Sequence, residues 1–86
     1  MNNDSNQIRS LLEKGISWPD VFRQILSHMH PKARTYVHLT SELLHSCRLH
    51  PELMNQLQRW NYWFGEEGYD DQELEKIIEG KISLKE

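Results

Sequence analysis

Eighty-six residues with 10 Lys+Arg against 13 Asp+Glu make one small acidic domain, at odds with the basic face of a general nucleic-acid binder. A chain of this size buries only about 60–65% of its unfolded surface, so its margin of stability is thin. A lone cysteine, Cys47, excludes an internal disulfide and with it a secreted disulfide framework.

The first residues, Met1-Asn2-Asn3-Asp4-Ser5, lack the basic and apolar regions of a signal peptide. No apolar run approaches the roughly 20 residues that span a bilayer. The expectation is a soluble, cytoplasmic protein that binds no membrane.

Asp4 or Ser5 can cap a first helix running to about Lys14, with Ile8, Leu11 and Leu12 as its apolar stripe. Gly15 stands where a helix-ending glycine belongs. Ser17-Trp18-Pro19-Asp20 then reads as a helix start. Ser17 and Asp20 have the spacing of a capping box, Pro19 suits the first turn, and Ile16 and Val21 suit a hydrophobic staple. Val21, Phe22, Ile25, Leu26 and Met29 continue the apolar face until Pro31 ends the helix.

Pro31 also suits the first turn of a third helix, expected over 31–48. Ala33, Tyr36, Val37, Thr40, Leu43, Leu44 and Cys47 recur along it at three- and four-residue steps. His50-Pro51 breaks it, and Pro51 starts a fourth helix whose core side is Leu53, Met54, Leu57, Trp60 and Phe64. Gly65 or Gly68 stops that helix. Asp70 or Asp71 caps a fifth, where Asp70 and Glu73 again have capping-box spacing. Leu74, Ile77 and Ile78 are its stripe, Ile82 follows a turn later, and Gly80 ends or frays it. No segment alternates with period two. The fold class expected is therefore all-α: a single helical domain over 1–86, a compact antiparallel bundle of four to five helices with no sheet. Residues 1–4 and 83–86 are expected to fray. Phe22, Leu26, Leu43, Leu44, Leu57 and Trp60, each central in its stripe, should be buried.

The unusual stretch is Arg59-Trp60-Asn61-Tyr62-Trp63-Phe64-Gly65-Glu66-Glu67-Gly68-Tyr69-Asp70-Asp71. It holds two of the three tryptophans, and seven acids fall between Glu66 and Glu79 with only Lys76 opposing them. Between Arg23 and Arg59, by contrast, five bases face two acids. The molecule should be dipolar. At about 100° per residue, a helix that puts Trp60 at 0° puts Phe64 near 40°, Trp63 near 300° and Tyr62 near 200°. Tyr62 should thus turn away from the core stripe. Aromatics beside a dense acidic run have the make-up of a surface for a basic protein. The partner-binding residues expected are Tyr62, Trp63, Glu66, Glu67, Tyr69, Asp70, Asp71 and Glu73. The plainer alternative makes Trp60, Trp63 and Phe64 core and leaves the acids to solvate a helix.

Other constellations are weaker. His38, Glu42 and His45 lie at i, i+4, i+7, a spacing that can converge on one ion, but no fourth ligand is specified, so no metal is expected. His28 and His30 beside Pro31 fit a solvated helix end. Cys47 lies on an apolar stripe and reads as a buried inert thiol rather than a nucleophile. No Ser/His/Asp order or phosphate-binding glycine loop occurs, and Gly65-Glu66-Glu67-Gly68 would repel phosphate. Catalysis, a cofactor and a small-molecule substrate are therefore not expected. Helices two and three could form a helix-turn-helix, with Lys32 and Arg34 at phosphates, but the turn lacks its usual glycine. A small DNA-binding or transcription-associated regulator is accordingly the second reading.

The run Gln7-Ile8-Arg9-Ser10-Leu11-Leu12-Glu13-Lys14-Gly15-Ile16-Ser17-Trp18-Pro19-Asp20-Val21-Phe22 resembles the first segment of small helical bacterial immunity proteins of the colicin D type. Tyr69-Asp70-Asp71-Gln72-Glu73-Leu74-Glu75-Lys76-Ile77-Ile78 resembles their closing acidic helix. In that family an acidic helical bundle plugs a basic nuclease toxin. The resemblance implies an inhibitor that binds a basic protein without catalysis, and it assigns no role to any single residue.

Overall fold

A computed structural model describes residues 5–85 and their side chains from residue 7 onward. The chain order is α1 (Ser5–Glu13), α2 (Trp18–Ser27), a 3-10 turn (Pro31–Ala33), α3 (Tyr36–Ser46), β1 (Cys47–Leu49), α4 (Pro51–Leu57), α5 (Asn61–Phe64), α6 (Asp71–Ile78) and β2 (Ile82–Leu84). The radius of gyration, 12.0 Å, is about what a compact chain of this length should have. The fold is mostly helical, and helices α1, α3 and α6 all pack against α2 or its neighbours around one core.

Most of the helix starts have a local cause. Asp70 caps α6 with a complete capping box: its Oδ1 accepts from the Glu73 N–H at 2.8 Å, and Glu73 Oε1 accepts from the Asp70 N–H at 3.1 Å. Ser17 does precede α2, in extended geometry, but makes no side-chain cap. Its hydroxyl donates to Asp20 Oδ2 at 3.3 Å, while the other Asp20 oxygen pairs with Arg23 at 3.1 Å. The expected box at Ser17 is thus replaced by a side-chain pair. His30-Pro31 and His50-Pro51 share one device. In each, histidine Nδ1 accepts the N–H of the residue after the proline, Lys32 or Glu52. Pro begins the helix with no N–H to satisfy and the preceding side chain caps the next donor.

The expected third helix over 31–48 is divided. Thr35 caps α3, its Oγ1 accepting from the His38 N–H at 3.3 Å. Before it, Arg34 holds the connecting turn by donating to the Met29 and Ser27 carbonyls. The buried stripe is Leu39, Thr40, Leu43 and Ser46. Val37 and Leu44, expected inside, are 56% and 39% exposed. With Thr40 at 0°, Leu39 and Leu43 fall at about 260° and 300°, whereas Leu44 and Val37 fall at about 40° and 60°, beyond the edge of the buried arc. The other expected core residues, Phe22, Leu26, Leu43, Leu57 and Trp60, are fully buried.

The absence of a sheet is also corrected. β1 and β2 pair antiparallel, Cys47 to Leu84, Arg48 to Ser83 and Leu49 to Ile82. Three-residue strands are too short to show alternation, and their partner lies far along the chain. Residues 83–85 are therefore tied rather than frayed: the Lys85 N–H reaches the Ser46 carbonyl at 2.9 Å, and Lys85 Nζ reaches the Leu44 carbonyl at 2.6 Å. The expectation for residues 1–4, like that for Glu86, lies outside the described residues. Among the described residues no helix is long and apolar enough to cross a membrane.

Candidate protein-binding surface

The surface is built by a break in the expected fourth helix. α4 stops at Leu57, and Trp60 takes extended geometry (φ −66°, ψ 141°) before α5 begins. The cause is tertiary. Tyr69 returns alongside: its N–H donates to the Arg59 carbonyl at 2.7 Å, and its carbonyl accepts from the Asn61 N–H at 2.9 Å. Gly68 makes that approach possible, since a Cβ there would lie 2.5 Å from the Arg59 carbonyl oxygen. Gly65 ends α5 with φ +91°, where L side chains are strained.

Because Trp60 is not helical, the rings are arranged differently from a helical wheel. Trp60 is fully buried, edge-on to Phe22 at 5.9 Å and to Trp63 at 5.4 Å. Tyr62, expected on the opposite side, stacks on the Trp60 indole at 5.1 Å and remains 40% exposed. Phe64, expected in the core, is 53% exposed. Trp63 is half-buried and donates its indole N–H to the Leu57 carbonyl at 2.7 Å.

The acids divide in two groups. Asp71 is engaged inside the chain: Arg23 grips both its oxygens at 2.8 and 2.9 Å, and Trp60 Nε1 donates to it at 3.2 Å. The Arg23 guanidinium carbon also lies 5.2 Å from the centre of the Trp60 ring. Hydrogen bonding from Arg23, then from Trp60, holds the Asp71 carboxyl below its ordinary pKa despite some burial, and the same pairing raises Arg23. Asp70 and Glu73 are exposed but serve the α6 cap. Glu66, Glu67, Glu75 and Glu79 are exposed, and no hydrogen bond or ion pair engages their carboxylates among the described residues.

No known family model matches the chain. Comparison with characterised proteins and with solved structures likewise finds no match. Of the eight residues expected at a partner, Tyr62, Glu66 and Glu67 present free surface; Trp63 and Tyr69 are half-buried, and Asp70, Asp71 and Glu73 have structural work. His38, Glu42 and His45 form no metal-like group; no three such side chains converge among the described residues, and the His38 ring lies 2.9 Å from Thr35 Oγ1. Burial pushes the Cys47 thiol up to about 11, so it is protonated at neutral pH.

Sequence reasoning missed one feature. Arg34, Thr35 and Tyr36 on one side and Gln58, Arg59, Trp63 and Phe64 on the other line an open groove of about 470 Å³. Three of those residues are aromatic, and Tyr36 meets Trp63 with ring centres 6.1 Å apart. The groove exists because the chain breaks both at Arg34–Thr35 and at Gln58–Trp60, two breaks that helical periodicity conceals.

Proposed function

We propose that this chain is a non-catalytic protein-binding domain whose acidic surface takes a basic protein, in the manner of an immunity-type inhibitor of a nuclease toxin. The observation that carries this reading is that the carboxylates of Glu66, Glu67, Glu75 and Glu79 are exposed and unengaged among the described residues, and that the Tyr62 ring, four positions before Glu66, is 40% exposed. The acids would steer a basic partner and affect mainly its on-rate. Tyr62 would anchor it after docking, and desolvated aromatic anchors govern mainly the off-rate. The helix-turn-helix reading is less favoured on this geometry, because Arg34 directs its guanidinium back at the Met29 and Ser27 carbonyls.

The test is affinity capture by the wild type and by a Glu66→Lys/Glu67→Lys variant, followed by binding kinetics with the captured protein. A basic protein held by the wild type and released by the variant is the expected result. Tyr62→Ala should then weaken binding by about 2 kcal/mol or more, chiefly through dissociation. It should also cost the fold about 1 kcal/mol, for the lost stack on Trp60. Unchanged capture by both variants would refute this assignment. Salt-sensitive retention on DNA in place of a protein would favour the second reading.

A further inference from the structure

The groove between α3 and α5 is lined by charge opposite in sign to the net charge of the chain, −3. Both charged residues lining it, Arg34 and Arg59, are cationic, and no acid lines it, although the chain carries 13 acids and four lie unengaged elsewhere on its surface. Arg34 uses Nε and one terminal nitrogen on backbone carbonyls. Arg59 is exposed, and its guanidinium takes part in no hydrogen bond or ion pair among the described residues. The half-buried rings of Tyr36 and Trp63 and the exposed ring of Phe64 line the same groove. About 470 Å³ falls within the range in which pockets hold small ligands or single anchoring side chains, about 300–1,000 Å³.

We propose that this groove docks an acidic peptide segment of a partner, an aromatic side chain lying against Trp63 and Phe64 and a neighbouring carboxylate meeting Arg59. The inference stands apart from the acidic surface, since it concerns different side chains and the opposite partner charge. Each part has a physical reason. An aromatic ring covers the exposed Phe64 face and packs edge or face against Trp63, burying apolar area that nothing covers in the chain itself. A carboxylate matches the fork of the Arg59 guanidinium, which can give two parallel hydrogen bonds. Aromatic rings beside arginine also suit single-stranded nucleic acid. The observations favour a peptide, because Glu66 and Glu67 follow Phe64 within three positions and the whole chain is at −3, so a strand of several phosphates would meet repulsion that one or two carboxylates escape.

The experiment uses a capped pentapeptide with phenylalanine between two aspartates, the same peptide with lysines in place of the aspartates, and a uridine oligonucleotide of eight bases. Each is titrated into the ¹⁵N-labelled chain while amide and indole signals are followed. The aspartate peptide should shift the Trp63 indole N–H and the Arg59 and Phe64 amides saturably, and the lysine peptide should not. Arg59→Glu should weaken the aspartate peptide by about tenfold and admit the lysine peptide, a reversal that general destabilisation cannot produce. Phe64→Ala, at a half-exposed position, should also weaken binding by about tenfold while the melting curve holds. Equal binding of the two peptides, no effect of Arg59→Glu, shifts confined to residues outside the groove, or tighter binding of the oligonucleotide would each overturn the proposal.

Discussion

Gly68→Ala tests whether the break at Trp60 is held by the backbone contact that the structure shows. The glycine is not strained; its importance is the space it leaves. An added Cβ would lie 2.5 Å from the Arg59 carbonyl oxygen and 2.9 Å from the Asn61 nitrogen, where ordinary contact begins at 3.4 Å. Neither neighbour is the end of a flexible side chain, so the two segments must part by about 0.9 Å. That displacement stretches the Tyr69-to-Arg59 and Asn61-to-Tyr69 hydrogen bonds, now 2.7 and 2.9 Å, past any useful length. Each such bond contributes about 0.5–1.5 kcal/mol, and loosened packing around the buried Trp60 adds to the loss. The expected cost is about 2–3 kcal/mol, or roughly 10–20 °C in Tm for a domain of this size. Circular dichroism melts give the shift, and hydrogen exchange at the Tyr69 and Asn61 amides locates it. A variant melting within about 2 °C of wild type, with those amides still protected, would refute the argued close approach.

Leu43→Ala should cost about 2–5 kcal/mol in chemical denaturation, whereas Leu44→Ala, at a partly exposed position, should cost under about 1 kcal/mol. Comparable costs would mean that α3 is rotated so as to bury Leu44 as fully as Leu43. Asp70→Ala should lose about 0.5–2 kcal/mol with its capping box, and Ser17→Ala less than about 0.5 kcal/mol, since the Ser17 hydroxyl caps nothing; equal losses in paired melts would contradict the α2 start. The Asp71 pKa is depressed in the fold, so the pair with Arg23 contributes fully above the ordinary carboxylate pKa and is lost as pH falls through the folded value. Both partners are about two-fifths exposed, so screening limits this contribution to about 1 kcal/mol. Between pH 5 and 2 the wild type should therefore lose more stability than Asp71→Asn, by about that amount; parallel acid titrations of the two would remove Asp71 from the account.

Features with a local cause were legible in the sequence. The Asp70–Glu73 box, the starts at Pro51 and after Ser17, and the α2 stripe all follow from neighbours within four positions. The failures arise where distant residues decide. Leu53, Met54, Leu57, Trp60 and Phe64 satisfy helical spacing without interruption, yet Tyr69 pulls Trp60 out of the helix and leaves Phe64 outside. A helix taken to run from Pro31 favours Val37 and Leu44 over Leu39, whereas α3 is capped at Thr35 and buries Leu39. In the candidate surface, the exposure of Glu66 and Glu67 followed from composition. The capture of Asp71 by Arg23, 48 positions away, could not, since nothing in either residue's neighbourhood marks the pair. The groove required both helix breaks and so was invisible at the level of periodicity.

The Arg23–Asp71 pair and the tie from Lys85 to Leu44 span 48 and 41 positions, and α6 lies between the points where the later part of the chain is fastened. Helices α1 to α3 have mostly near neighbours and can begin to form early, but the packing of α6 on α2 and the two-strand ribbon form only once long loops have closed. Closure entropy grows only with the logarithm of loop length, so these two closures are of similar difficulty, and the first makes the second shorter. The later half of the molecule should thus assemble in one late, concerted event, and a defect anywhere in the ribbon should be felt at α6. In kinetic terms the short sheet should act as a latch, its role lying in how long the closed domain stays closed.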